Sequence, residues 1–270
     1  MELLKSPNSL QDNIINKFSL KCDEDKNNNA LIIKGLYDKK KDIVLKIGFQ
    51  EAINKEYDIS NILKDCPNFI RYYCKFLCND DIINIIKNEK MLINYKICGN
   101  GDKPIGILTM NYYNLGSVGN YVWNAENFLI LKNVLKQSVY AILYAFEKKG
   151  FIHGDLHINN ILLKPSNNNV INYGNIKLKI HDFEARIMDF EKSKIDIDSD
   201  YKNVIDNIQK LFNGLCDSEL FNIKINYNNN TIRKLKNEAI INNIKYNSIT
   251  EKDYKIFEKM INNFYIEYYK

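Results

Sequence analysis

The residue types best suited to chemistry crowd into the stretch FIHGDLHINNILL, residues 151–163. Two of the chain's three histidines, His153 and His157, flank Asp155 there, and Asn160 follows five residues later; the third histidine is His181. A carboxylate and an amide at this spacing can orient a hydroxyl proton and reach a metal ion across one turn, or can simply hydrogen-bond the turn itself. A His–Asp hydrolytic or metal site is a further option for the two loop histidines. Downstream lie two acidic triplets, Asp182-Phe183-Glu184 and Asp189-Phe190-Glu191. Their aspartates are an odd number of residues apart, so on one regular strand they would face opposite ways and could not serve one site together. Upstream, Lys46 ends the apolar run Ile43-Val44-Leu45, a position where a lysine is usually just solvated, and Glu51 and Glu56 follow on a helix-like segment.

His153, Asp155, Leu156 and Asn160 fall on the pattern H-x-D-L-x-x-x-N, so the stretch resembles the protein-kinase catalytic loop, with Ile161-Leu162-Leu163 as the short apolar strand after it. The resemblance implies that Asp155 is the catalytic base and that Asn160 is a magnesium ligand. It also implies a second magnesium ligand from an Asp-Phe-x triplet. Ile187 through Ser193 matches the family form I-I-D-F-x-x-S closely, which favours Asp189; Asp182, the alternative, falls in an inserted stretch around the turn Tyr173-Gly174-Asn175 and reads as an exposed strand-end carboxylate. Lys46 resembles the strand lysine that holds the ATP α- and β-phosphates, with Glu56 as its ion-pair partner. Glu51 is the other candidate partner, but at a helix start the dipole already accounts for an acidic residue. Residues 107–112 resemble the strand and hinge beside the adenine, with Met110 at the gatekeeper position and Tyr112 in the nucleotide site. The closest likeness is to the divergent serine/threonine kinases of large DNA viruses, with a secondary likeness to haspin. It covers residues 18–215, and includes the D-L-H of the loop and a long insertion over 164–186.

These residues need elements to hold them. Residues 18–47 read as three short antiparallel strands, FSLKC, ALIIKGLY and DIVLKI, separated by the turns DEDKNNN and DKKK. Ile53, Ile59, Ile62 and Leu63 recur at helical spacing over 51–64, and Pro67 ends that pattern. Strand-like runs follow at 69–78, 90–98 and 105–113. From about 125 to 149 Phe128, Leu131, Leu135, Val139, Ile142 and Phe146 mark an amphipathic helix, with Gly150 placed for a left-handed cap. A further helix-like run begins at Tyr201, and residues 216–270 carry helical patterns without a motif. The expected fold class is α+β, a two-lobed protein-kinase-like fold. Its small antiparallel β-rich N-lobe with one helix spans 1–113, and its larger, mainly helical C-lobe spans 114–270.

Several features depart from the family pattern. No glycine occurs in the Asp23–Asn29 turn that stands where the glycine-rich phosphate loop belongs, so the expectation is either weak nucleotide affinity or a loop that is disordered without substrate. Gly154 replaces the usual Arg before the catalytic Asp, and His157 stands where many kinases place a lysine that meets the γ-phosphate. About ten residues separate Phe190 from the next helix, with no A-P-E sequence. Ser193 and Ser199 lie there as conceivable phosphate acceptors, but control by activation-loop phosphorylation is not expected.

Composition narrows the function classes. A 45% hydrophobic and 26% charged chain of 270 residues supports a real core. The net charge of +5 is almost all lysine, with Arg71, Arg186 and Arg233 as the arginines, and the lysines are interleaved with acids rather than striped. Nucleic acid is therefore not an expected partner. The six cysteines form no C-x-x-C pair, the N-terminus lacks a signal-peptide core, and no apolar run is long enough to span a membrane. An intracellular location is expected, in the cytoplasm of a cell or host or packaged in a virion. With ATP and Mg2+ as implied cofactors, the leading expectation is phosphorylation of protein Ser/Thr hydroxyls. A small-molecule phosphotransferase of the aminoglycoside- or choline-kinase type comes second, and a pseudokinase that binds a partner third.

Overall fold

A computed structural model describes residues 18–27, 30–37, 41–77, 104–123 and 126–217. They form a mixed α+β protein with small antiparallel sheets and three α-helices among the described residues. Two compact units divide the chain, one of Met1–Asn61 with Arg71–Tyr112, the other of Ile62–Ile70 with Tyr113–Lys270. No helix among the described residues is long and apolar enough to cross a membrane.

The first unit is a five-stranded antiparallel sheet in the order β1-β2-β3-β5-β4. Its strands are β1 (Phe18–Asn27), β2 (Ala30–Tyr37), β3 (Lys41–Phe49), β4 (Tyr72–Leu77) and β5 (Ile105–Asn111). Helix α1 (Gln50–Ile62) follows β3 directly. β3 is central and β-branched, and Ile43, Val44, Leu45 and Ile47 are all buried, so both its faces are covered. Helix α1 buries Ile53 and Ile59. Gly106 of β5 permits this close packing, since a Cβ there would lie 2.9 Å from Ile53 Cγ2.

Two expectations need correction here. Residues 23–27 are not a turn: β1 shifts register between Lys21 and Asp25 and then pairs Asp25, Lys26 and Asn27 with Ile32, Leu31 and Ala30. Main-chain pairing with the apolar start of β2 outweighs the polar character of those side chains. The connection at 28–29 lies outside the described residues, as do 38–40, the expected strand at 90–98 and the run 218–270. Likewise the strand expected over 69–78 begins only at Tyr72, because Asn68 has φ 68 and Phe69 makes a single parallel bridge to Ile187 instead.

The second unit is organised around α2 (Phe128–Lys149). Its apolar face buries Leu131, Leu135, Val139 and Ile142, and Lys148 and Lys149 occupy its last turn. Gly150 caps it with φ 64 and donates its N–H to Phe146 O at 2.7 Å. Beyond the cap run β6 (Phe151–Ile152), a 3-10 turn at Ile158–Asn160 and β7 (Ile161–Pro165). The inserted stretch is a hairpin of β8 (Val170–Tyr173) and β9 (Ile176–Lys179), turning at Gly174 with φ 62. Then come β10 (Phe183–Ile187), paired antiparallel with β7; β11 (Lys194–Ile195), paired with β6; and α3 (Lys202–Asp217).

Apart from the single bridge of Ile187 to Phe69, the outer edge of β10 pairs with no strand among the described residues and is instead satisfied largely by buried amides. Gln137 of α2 accepts from Ala185 N at 2.8 Å and donates to Phe183 O at 2.8 Å. Asn68 donates to Ala185 O at 2.9 Å and to Gln137 Oε1 at 3.1 Å, and its own carbonyl accepts from Ile187 N at 2.7 Å. Tyr173 donates its hydroxyl to Asn68 Oδ1, and Asn133 accepts from Gln137 Nε2 and donates to Lys179 O, both at 2.8 Å. These side chains do for β10 what a neighbouring strand would. Replacing Gln137 with Leu leaves a buried N–H, a buried carbonyl and the Asn68 amide short of partners. Stability in urea should fall by at least about 2 kcal/mol; a loss within about 0.5 kcal/mol, the usual range for a surface change, would refute this account of the edge.

Candidate functional site

In the first unit, Lys46 is not the solvated strand end its position in the sequence suggests. It lies mid-strand in β3, opposite Leu108 of β5, and is only 9% exposed. Its ammonium pairs with Glu56 Oε1 of α1, and Glu56 is 0% exposed. The Tyr72 hydroxyl donates to the other carboxylate oxygen, Oε2, at 2.7 Å. Glu51, by contrast, is exposed in the first turn of α1. Met110 is buried in β5, between Val44 of β3 and Tyr72 of β4. Tyr112 follows that strand half-buried, with its N–H on Asp42 O at 3.4 Å and Lys34 Nζ 3.7 Å from its ring centroid.

A buried ion pair returns little net stability, but removing one partner strands the other charge. Glu56→Ala should therefore cost about 3 kcal/mol, while Tyr72→Phe, which removes one hydrogen bond, should cost about 1 kcal/mol. The double variant Lys46→Met with Glu56→Leu should recover much of the first loss in chemical denaturation. A double variant as unstable as Glu56→Ala would show that the stranded charge is not the cause.

In the second unit, one histidine ties two acidic segments together. His153 is fully buried against the rings of Phe151 and Phe190, at centroid distances of 6.1 and 6.0 Å. Asp155 N–H donates to its Nδ1 at 3.3 Å, which makes Nδ1 the acceptor and leaves Nε2–H to donate to Met188 O at 2.9 Å. Met188 N–H in turn donates to Asn160 O at 2.9 Å. Residue 188 is thus bonded through both its main-chain groups to the 153–160 loop, and Asp189, half-buried at φ 66, follows it. The Asn160 side chain is buried and oriented by Nδ2 donating to Asp155 O at 3.0 Å, which turns Oδ1 the other way.

Asp182 stands elsewhere. β7 and β10 pair Ile161 with Ile187 at one end and Pro165 with Phe183 at the other, two ends about 14 Å apart at the usual strand rise. Asp189 follows the Asn160 end, while Asp182, exposed, precedes the far end, where its carbonyl accepts from Ser166 N at 2.9 Å. Both aspartates have positive φ, so backbone strain does not separate them; the ladder does.

Asp155 is half-buried, and its Oδ2 accepts from Lys192 Nζ at 2.7 Å. Burial alone would raise its carboxyl, but the hydrogen bond and charge of Lys192 outweigh burial and hold it below the ordinary Asp value. The register of β6 with β11 explains the encounter: Lys194 pairs with Ile152, so continuing the antiparallel count brings Lys192 opposite Gly154. Gly154 has φ 79, and a Cβ there would lie 2.3 Å from Lys192 O. An arginine at 154 is excluded by this approach. The Gly154 N–H donates to Asn207 Oδ1 of α3 at 2.7 Å, and Lys210 Nζ donates to Gly154 O at 3.2 Å. Ser193, offered by the sequence as a phosphate acceptor, is buried, with its Oγ donating to His153 O at 2.8 Å. His157 precedes the 3-10 turn, where its carbonyl accepts from Asn160 N, and His181 N donates to Asn133 Oδ1. Phe190 is a core aromatic, packed with Phe69 and Phe151 at 6.2 and 6.0 Å.

Sequence reasoning missed Lys192, Asn207 and the amides of Asn68, Asn133 and Gln137. Asn133 and Gln137 carried a signal: two amides four residues apart on the apolar side of a helix. Lys192 carried none, because its place depends on a two-residue ladder.

No family model matches the chain. It is similar, at 22% identity over 139 residues, to the Caenorhabditis elegans protein described as "Uncharacterized protein ZK177.2". The match covers 50% of this chain and 42% of that protein, so the chain spans less than half the length of the relative it matches.

Burial pushes the His153 imidazole down to about 4 from its ordinary 6.5. Between those values the unfolded chain binds a proton that the folded chain refuses, so stability falls as pH drops from 6.5 towards 4 and levels off below it. The full difference corresponds to about 3 kcal/mol. His153→Gln keeps a donor for Met188 O and removes the titrating ring. Urea denaturation at pH 7 and pH 4.5 should show a smaller acid loss in that variant; an equal loss would place the acid-sensitive group elsewhere.

Proposed function

We propose that this chain is an ATP-dependent phosphotransferase of the protein-kinase-like type, a divergent serine/threonine protein kinase that transfers the ATP γ-phosphate to a protein hydroxyl. In this reading the strand-rich first unit serves as the N-lobe and the second unit as the C-lobe. The observation that carries it is the Met188 linkage, by which the Asn160 amide, the Asp189 backbone and the Asp155 loop belong to one hydrogen-bonded assembly.

Asp155 takes the acceptor hydroxyl proton as the acceptor oxygen bonds to the γ-phosphorus; the bond to the β-bridging oxygen breaks, and its electron pair leaves with ADP. Lys46, fixed by Glu56, neutralises the α- and β-phosphates, and Met110 and Tyr112 meet the adenine. An amide oxygen and a carboxylate are the hard oxygen donors that magnesium takes, so Asn160 and Asp189 would hold Mg2+, which supplies charge neutralisation on the phosphates.

A second reading, a small-molecule acceptor, is favoured by the segment after Asp189. Ser193 and the β11–β6 pairing pin it within four to six residues, leaving little chain to cradle a peptide.

The test is labelled ATP with magnesium, offered protein and metabolite panels as acceptors. Asp155→Asn should cut turnover by ~10²-fold or more while the fold persists. Asp189→Asn should be crippling and Asp182→Asn mild. Near-normal turnover in Asp155→Asn would remove that residue from the role, and the reverse ranking of the two aspartates would transfer the metal site to Asp182. Transfer to a metabolite but to no protein would select the second reading.

A further inference from the structure

We propose that Lys192 is a further catalytic residue, an ammonium that passes from the Asp155 carboxylate to the transferring phosphoryl group during the reaction. This rests on the phosphotransferase reading above. The loop itself carries no lysine or arginine beside its carboxylate: Gly154 precedes Asp155, and His157 stands two residues after it. Lys192 supplies one from a different segment, 2.7 Å from Asp155 Oδ2. Its position is built rather than incidental. Lys192 O fits against Gly154 so closely that any Cβ at 154 would clash, and Ser193 next to it is buried on His153 O. The main chain is therefore fixed while the side chain reaches into solvent, 63% exposed against 32% for Asp155. One of the three ammonium donors is spent on Oδ2, and the exposure leaves room for an anion on the others.

Charge balance gives the direction of the transfer. Before reaction Lys192 faces a carboxylate. When Asp155 takes the acceptor proton it becomes neutral, and Lys192 loses the one counter-charge it is hydrogen-bonded to, with only the longer-range pull of Asp189 and Glu191 remaining, at the moment the phosphoryl oxygens arrive. The ammonium then binds the transition state and phosphorylated product more strongly than the ground state, which is the condition for raising turnover rather than affinity. The proton goes to Asp155 Oδ, the acceptor oxygen–phosphorus bond forms, and the departing electron pair stays on ADP; Lys192 keeps its three hydrogens throughout.

The experiment compares full-length wild type, Lys192→Met, Lys192→Arg and Lys194→Met. Lys194, two residues on, pairs with Asp196 and serves as the control. Calorimetry measures binding of ADP with magnesium alone and of ADP with magnesium and aluminium fluoride, a mimic of the transferring phosphoryl group. Lys192→Met should weaken the fluoride complex at least ~10-fold while binding ADP as wild type does, with Lys192→Arg recovering most of the loss and Lys194→Met unchanged. Turnover of ATP should fall ~10- to 100-fold in Lys192→Met with KM little changed. The thermal midpoint should hold, because so exposed an ion pair adds little stability. If wild type prefers the fluoride complex and Lys192→Met keeps that preference, this role is overturned and the phosphotransferase reading survives. If wild type binds neither ADP nor the fluoride complex, the phosphotransferase reading falls and takes this role with it.

Discussion

The buried imidazole of His153 is the constraint on which the rest of the second unit's site depends. Its two ring nitrogens act differently, Nδ1 accepting from Asp155 N–H while Nε2–H reaches Met188 O. Only the neutral ring with its proton on Nε2 can do both, since a protonated ring has two donors and no acceptor. The aromatic packing of Phe151 and Phe190 keeps water away and so keeps the ring neutral. Protonation would thus cost twice, through the buried charge and through the lost bond to the Asp155 main chain. A single protonation state fixes the chain positions of residues 155 and 189 together.

How legible this was differs by element. The long helix α2 and its glycine cap follow from 3.6-residue periodicity and a residue free to adopt positive φ, and both could be read directly. The strands of the first unit were legible from β-branched runs, but the end of β1 was not, because a ladder satisfies backbone groups whatever the side chains are. Among the candidate site residues, Asp155 and Asn160 stand on one short loop, where sequence spacing approximates spatial spacing. The choice between Asp182 and Asp189 could be posed from sequence, but the ladder that separates them depends on strand register. Gly154 reads as a missing arginine until its φ of 79 and the approach of Lys192 O show why only glycine fits. Lys192 was invisible because its encounter with Asp155 spans 37 residues and rests on two paired residues of β11.

Two of the lysine–carboxylate pairs show how one chemical motif is given opposite properties by its surroundings. Lys46 and Glu56 are sealed: the carboxylate is fully buried and its second oxygen is taken by Tyr72. In such a setting neither charge can leave without stranding the other, so the pair behaves as a fixture, holding the ammonium at one place in β3. Lys192 and Asp155 meet near the surface, where water can take over either partner at little cost. Their pair is therefore exchangeable. A fixed cation suits a ligand that must always be held at the same point, because its position is settled before the ligand arrives. An exchangeable cation suits a group whose charge changes during a reaction, because the ammonium can follow the negative charge as it moves. The fold supplies this difference through burial alone: β3 is covered on both faces, whereas β11 is a two-residue strand whose own Lys194, like the nearby Lys192, remains in solvent.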